Sequence, residues 1–196
     1  MLSAGLILLG GLNTSPASLP PRAADFAALE RGEVIKRVEP VKGAPVPRVR
    51  AYMLIDAPPQ KMFDLIDKCG RYTQFMPRVS LSKELSRKGE VVTCQVKIKL
   101  PYYLGTLESV TRGIHTAGPK SWGRAWTLVS GTYERNVGRW TLTPYKGNPK
   151  ITLVEYVLHA VPNLSIPDVL LRKANGRAIP GMLRGFRKRL TGKSTR

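Results

Sequence analysis

Val92-Thr93-Cys94-Gln95-Val96-Lys97-Ile98-Lys99-Leu100 alternates apolar and polar residues through nine positions. Successive side chains of an extended chain point to opposite faces, so this period of two predicts a strand with one buried and one wet side. Around it the sequence from 79 to 162 reads as strand after strand, with further candidates at 104–115, 122–129, 137–144 and 151–161. Turn chemistry separates them at Pro101, Gly118-Pro119-Lys120, Gly131 and Lys146-Gly147-Asn148-Pro149. Connections this short predict antiparallel pairing.

Upstream, Arg48–Ile55 reads as a strand with Val49, Ala51, Met53 and Ile55 on one face. Asp56-Ala57-Pro58-Pro59 ends it and opens a helix, with Asp56 placed to cap and proline tolerated in the first turn. Met62, Phe63, Leu65 and Ile66 give that helix its apolar side, and Gly70 stops it. A second short helical turn follows at 72–76, before Pro77. Downstream the period changes again. From Asp168 to about Leu190, Ile179, Met182, Leu183, Phe186 and Leu190 recur at helical spacing. Pro180 should kink or divide this helix.

The region 13–47 carries Pro16, Pro20, Pro21, Pro40, Pro45 and Pro47 and reads mainly as a linker, with room for a helical turn or two at 23–30 and a short strand at 33–38. The chain therefore divides into a leader at 1–17, a Pro-rich linker at 18–45, one folded domain at 46–192 and a basic tail at 193–196. The expected class is α+β: a curved antiparallel sheet of about six to seven strands wrapped around the long C-terminal helix, with two short helices after the first strand. A lone amphipathic helix hides its stripe only against the concave side of such a sheet. The space left between them suits an apolar ligand.

Four stretches carry a resemblance to a known family. They are the strand with Asp56-Ala57-Pro58-Pro59-Gln60-Lys61-Met62-Phe63, then Tyr72-Thr73-Gln74-Phe75-Met76-Pro77, then Gly138-Arg139-Trp140-Thr141-Leu142, and Ile166-Pro167 before the last helix. From about Val46 to Leu190 the chain resembles the START-like, helix-grip (SRPBCC) superfamily, in particular its polyketide cyclase and coenzyme Q-binding branch. The resemblance implies a hydrophobic cavity for a lipid, quinone or polycyclic molecule. Its walls would be Val92, Cys94, Val96, Ile98 and Leu100 with Trp140, Leu142, Val154, Tyr156 and Leu158. Its lid would be Tyr72, Phe75 and Met76, and its floor or gate Leu170, Met182, Leu183 and Phe186. The expected protein is a monomeric, non-catalytic binder without cofactor or metal.

The rival is a cyclase or dehydratase, which needs a polar group such as Glu155 or His159 inside the cavity. Neither of the two histidines, His115 and His159, stands in a triad or zinc spacing. A lone His on a strand reads as a hydrogen-bonded structural residue. Glu155 would have a raised pKa if buried, but alternation puts it outside with Ile151 and Leu153 while Val154, Tyr156 and Leu158 point in.

Thirty-two Lys and Arg against thirteen Asp and Glu give a net charge of +19, which attracts anionic surfaces. Nine of these cations and no acid lie between Arg172 and Arg196. Arg184, Arg187, Lys188, Arg189 and Lys193 are therefore expected at an anionic membrane surface. A basic nucleic-acid binder is the second rival, but no helix-turn-helix, finger or RNP pattern accompanies the charge and no nucleic acid is expected. The apolar start MLSAGLILLGGL, with Ser15 and Ala17 after it, resembles a cleaved export signal without its basic flank. Export is the reading and a cytoplasmic protein the alternative. Cys69 and Cys94 read as buried and unpaired, or as one disulfide if the protein is exported.

Overall fold

A computed structural model describes residues 15–101, 104–164 and 168–192, the side chains of 168–177 excepted. Its strands are β1 (Ile35–Glu39), β2 (Arg48–Ile55), β3 (Val79–Lys88), β4 (Val91–Lys99), β5 (Thr106–Ala117), β6 (Trp122–Gly131), β7 (Tyr133–Tyr145) and β8 (Asn148–Pro162). They form one curved antiparallel sheet in the order β1-β2-β8-β7-β6-β5-β4-β3. The helices are α1 (Phe26–Glu30), α2 (Pro59–Asp67) and α3 (Asp168–Thr191), with a 3-10 turn at Cys69–Gln74 after α2. The expected α+β architecture is thus the observed one. The eighth strand is β3, whose residues are mostly exposed; without a buried face it has no apolar alternation to betray it.

The register sorts the two faces. Val49, Ala51, Met53 and Ile55 of β2 meet Leu158, Tyr156, Val154 and Thr152 of β8, and Tyr156 and Val154 in turn meet Trp140 and Leu142 of β7. All of these but Thr152 and Leu158 form one buried cluster with Met62, Phe63 and Ile66 of α2 and Ile179, Leu183 and Phe186 of α3, and Leu158 packs against it. Burial of a Leu- or Phe-sized side chain stabilises a fold by roughly 1.5–3 kcal/mol, so this cluster is what holds helix and sheet together. Helix α3 continues through Pro180 and is not divided there. Helix α2 starts after Pro58, with Pro59 inside the first turn and no side-chain cap; Asp56 lies too early to be the N-cap.

Residues 18–45 are not a free linker. On the face opposite α3, Ala17 and Pro16 carbonyls accept from Arg50 and from Arg139 Nε, the latter at 2.9 Å. The Leu19 N–H donates to Glu155 at 2.9 Å, and the Tyr52 hydroxyl donates to the Leu19 carbonyl at 2.9 Å. Glu155 also pairs with Arg50 and accepts from Ser18. Downstream of this strap, α1 buries Leu29 and β1 pairs along β2. The strap is held through backbone groups and buried charge, which leave no hydrophobic period in the sequence.

Candidate ligand-binding site

Strand alternation, the turn after α2 and helix α3 together bring six aromatic rings into one series. Trp126 of β6 stacks on Tyr156 of β8, with centroids 6.1 Å apart, and Tyr156 lies 4.3 Å from Trp140 of β7. Trp140 meets Phe186 of α3 edge-on at 5.5 Å, Phe186 meets Phe75 at 5.2 Å, and Phe75 meets Tyr72 at 5.8 Å. The series closes on a charge: the Arg124 guanidinium sits 5.8 Å from the Tyr72 ring and 5.5 Å from the Trp126 ring. Gly138 makes the first contact possible, because a Cβ there would stand 2.2 Å from the Trp126 ring.

The expected cavity residues fall into two groups. Trp140, Leu142, Val154, Tyr156, Leu183 and Phe186 belong to the large cluster, with Leu158 and Met182 packed on it. Val92, Cys94 and Tyr72 form a second, smaller cluster with Cys69, against which Val96 packs. The lid residues Phe75 and Met76 touch both. Ile98 and Leu100 are half-buried beyond either cluster. The Leu170 side chain, Lys193, Ile166-Pro167 and the leader up to residue 14 lie outside the described residues.

Two corrections concern chemistry. Cys69 and Cys94 are not unpaired: they form a disulfide, Cα–Cα 6.3 Å, which ties the 3-10 turn to β4. Two cysteines 25 residues apart meet only because the chain crosses from α2 to the far edge of the sheet. Arg187 is not at the surface. It is buried on α3, donating to the Leu54 carbonyl at 2.9 and 3.1 Å and to the Gly32 carbonyl at 2.6 Å. Burial lowers its pKa, and its role is to pin α3 to β2 and to the end of α1. Arg184, Lys188 and Arg189 remain exposed, Arg189 over the Phe75 ring.

Neither Glu155 nor His159 reaches the inner face. Glu155 lies under the strap, and the His159 Nε2–H donates to the Val46 carbonyl at 2.9 Å. His115 does face inward. Its Nδ1 is 2.7 Å from Asp67 Oδ1 at the end of α2, and its ring meets Phe63 edge-on. An ionised carboxylate carries no proton, so Nδ1–H is the donor. Burial pushes the His115 pKa down, against the Asp67 hydrogen bond. Burial would raise Asp67, but hydrogen bonds from His115 and Arg87 hold its carboxyl below its ordinary value.

His115 of β5 stands opposite Arg124 of β6, and the inner row of β5 continues with Gly113, opposite Trp126, and Thr111. Arg124 donates to the Tyr72 hydroxyl at 2.5 Å and to Thr111 Oγ1 at 3.3 Å, and Tyr72 donates to the Ile66 carbonyl at 2.5 Å. Burial raises the Tyr72 pKa and keeps the phenol neutral. Sequence reasoning passed over Arg124, although it stands on an inner-facing register between Trp122 and Trp126, two residues from each.

A separate hollow of about 460 Å³ lies on the strap side, lined by Leu19, Pro20, Arg22, Arg37, Val38, Glu39 and Arg50. Its charged rim, on the far face from the aromatic series, does not suit an apolar ligand. Among the described residues no group of three or more His, Cys, Asp or Glu could hold a metal ion.

The family model for polyketide cyclase / dehydrase and lipid transport matches residues 55–187. No curated protein matches the chain. Among solved structures it is similar to a STAR-related lipid transfer protein from Xanthomonas axonopodis, with TM-score 0.71 and 21% identity over 80% of this chain and 93% of that one. Human StAR-related lipid transfer protein 5 gives 0.69 at 10% identity, over 82% and 83%. The Zhui aromatase/cyclase from Streptomyces sp. R1128 gives 0.57 at 10%, over 76% and 98%. At such identities the likeness is one of fold.

Proposed function

The chain belongs to the polyketide cyclase/dehydrase and lipid-transport family, and from that membership we propose that it binds a hydrophobic molecule between α3 and the concave face of the sheet. The observation that carries this reading is the closed series of rings from Trp126 to Tyr72, spanning sheet, helix and turn. Flat aromatic surfaces with a few polar groups among them are what a ligand site of this kind needs. The Phe75–Phe186 contact joins the turn to α3, so a ligand enters as that contact opens.

Native mass spectrometry of the protein purified from its own host, with extraction of bound lipid, tests this. An apolar molecule should accompany the folded chain. A Val96→Trp replacement, at a half-buried inner position of β4, should reduce uptake of an apolar fluorescent dye at an overpacking cost of roughly 1–3 kcal/mol. A ligand-free protein that takes up no dye would refute the reading.

The family holds both lipid-binding proteins and cyclases. Binding is favoured here because the inner face is dominated by rings, while its polar groups are engaged with one another, Arg124 with Tyr72 and Thr111 and His115 with Asp67. Loading at a membrane surface would use Arg184, Lys188 and Arg189, exposed along the end of α3, through attraction to anionic headgroups. No helix among the described residues is long and apolar enough to cross a membrane. Export is supported by the Cys69–Cys94 bond, since disulfides persist in oxidising compartments.

A further inference from the structure

A second set of polar side chains stands on the concave face where β7 begins and β8 ends. Tyr156 is 7% exposed, held between Trp126 and Trp140, and among the described residues nothing hydrogen-bonds its hydroxyl. Arg124 Nε and His115 Nε2 are sealed off, whereas the Tyr156 hydroxyl keeps open surface. Tyr133 stands opposite Pro162 and Asn136 opposite Ala160, on the row of β8 that Tyr156 and Leu158 continue. Asn136 Oδ1 accepts from Trp126 Nε1 at 3.0 Å, so its amide NH2 is left to donate elsewhere. Tyr133, Asn136, Leu158 and, on β6, Leu128 are half-buried. Half-burial on the concave face means that open space adjoins them.

These groups are donors in want of an acceptor. Burial pushes the Tyr133 pKa up to about 12 and raises that of Tyr156 as well, with Tyr133 near enough to add to the shift. Both phenols therefore stay neutral and keep their protons. Two neighbouring phenols satisfy one another only once, since one donates, the other accepts, and a proton is left over. An unmet hydroxyl at this depth is unfavourable. From Val154 to Pro162 the concave row of β8 carries no charge, and neither do Trp140, Gly138 and Asn136 facing it on β7. A charged head would lie there without a counter-ion. A hydrocarbon leaves the donors unmet, and an alcohol brings a further proton that needs its own acceptor. A carbonyl oxygen brings acceptor capacity alone. We propose that Tyr156, with Tyr133 and Asn136 beside it, receives the carbonyl oxygen of an uncharged, flat ligand, and that this contact sets which hydrophobic molecule the protein prefers.

The ring and the oxygen of Tyr156 do separate things. The ring belongs to the aromatic series, 4.3 Å from Trp140 and 6.1 Å from Trp126, and offers a flat molecule a face to lie on. The hydroxyl fixes where along that face the oxygen of the molecule sits. Tyr156→Phe keeps the ring and its packing and removes the oxygen alone, so it divides recognition of the carbonyl from affinity for the hydrocarbon. No covalent bond changes and no proton is exchanged.

This inference rests on the binding function proposed above, and the experiment separates the two. The full chain, stripped of lipid, is titrated with fluorene and with 9-fluorenone, flat molecules of one shape that differ by a carbonyl. The unaltered protein should prefer 9-fluorenone about tenfold, and the carbonyl stretch of the bound ketone should fall in frequency from its value in hydrocarbon solvent. Tyr156→Phe should remove most of that preference and return the stretch toward its free value, while fluorene binds as before. Should that variant not fold, the carbonyl stretch on the unaltered protein and on Tyr133→Phe still decides. Equal affinity for the two molecules, an unshifted stretch, or a preference untouched by Tyr156→Phe would overturn the carbonyl site and leave the binding function standing. Binding of neither molecule would overturn both.

Discussion

The two ends of the sheet bury their inner faces with different materials. At the β2–β8–β7 end the inner row is Ala51, Met53, Val154, Tyr156, Trp140 and Leu142, closed by α2 and α3 into one apolar cluster. At the β4–β5–β6 end it is Ser109, Thr111, Gly113, His115 and Arg124 beside a small cluster held by a disulfide. Two buried arginines show the contrast most sharply. Arg187 spends its donors on the Leu54 and Gly32 carbonyls, whereas Arg124 keeps Nε unpartnered. The first arrangement fixes a helix; the second leaves a polar group available.

Breaking the apolar end should have the largest effect. Trp140→Ala removes a 3% exposed side chain in contact with Tyr156 and Phe186 and should cost about 3–5 kcal/mol, read from the urea unfolding midpoint. At the polar end the covalent tie stands in for a large core. Replacing both Cys69 and Cys94 by Ala should cost about 3 kcal/mol for a loop of this size, and a reductant acting on the unaltered protein should reproduce the loss.

Gly113→Ala sharpens the comparison with less damage. The new methyl would press on Arg124 Nε at 3.0 Å and His115 Nε2 at 3.3 Å and should cost about 1–3 kcal/mol. The His115 ring resonances should move while those of His159 stay in place. Least of all is the effect of acid. Burial depresses the folded pKa of both His115 and His159 below 6.5. The unfolded chain therefore binds more protons as pH falls below 6.5, and stability should decline there by at most about 1.4 kcal/mol per pH unit for each ring. Above that range neither ring contributes a slope. His159→Gln should reduce the decline in a pH series of thermal melts, and an unchanged slope would clear His159 of any part in it.

What could be read in the sequence follows from local periodicity. Val92 to Leu100 announced a half-buried strand, and the stripe from Ile179 to Leu190 announced the closing helix, because each element repeats its burial pattern every two or 3.6 residues. The strap at Ser15 to Pro20 was read as the end of a leader and the start of a linker because its contacts run through carbonyls of Pro16, Ala17 and Leu19, which any sequence supplies. Arg187 was read as a membrane contact because a cation on a helix gives no sign of which carbonyls it will find. Arg124 was legible in principle, as a charge in an inner-facing register between two tryptophans.

The sequence by itself determined most of the elements, their antiparallel pairing and the resemblance to the family, since these depend on turn residues and on apolar spacing along the chain. Only the tertiary structure decided that Cys69 meets Cys94, that Asp67 orients His115, and that Gly113 lets His115 and Arg124 close against the β5 backbone. Each of these joins residues on different elements. Such meetings are set by how the sheet curves and how α2 crosses to its far edge, and no periodicity along the chain encodes them.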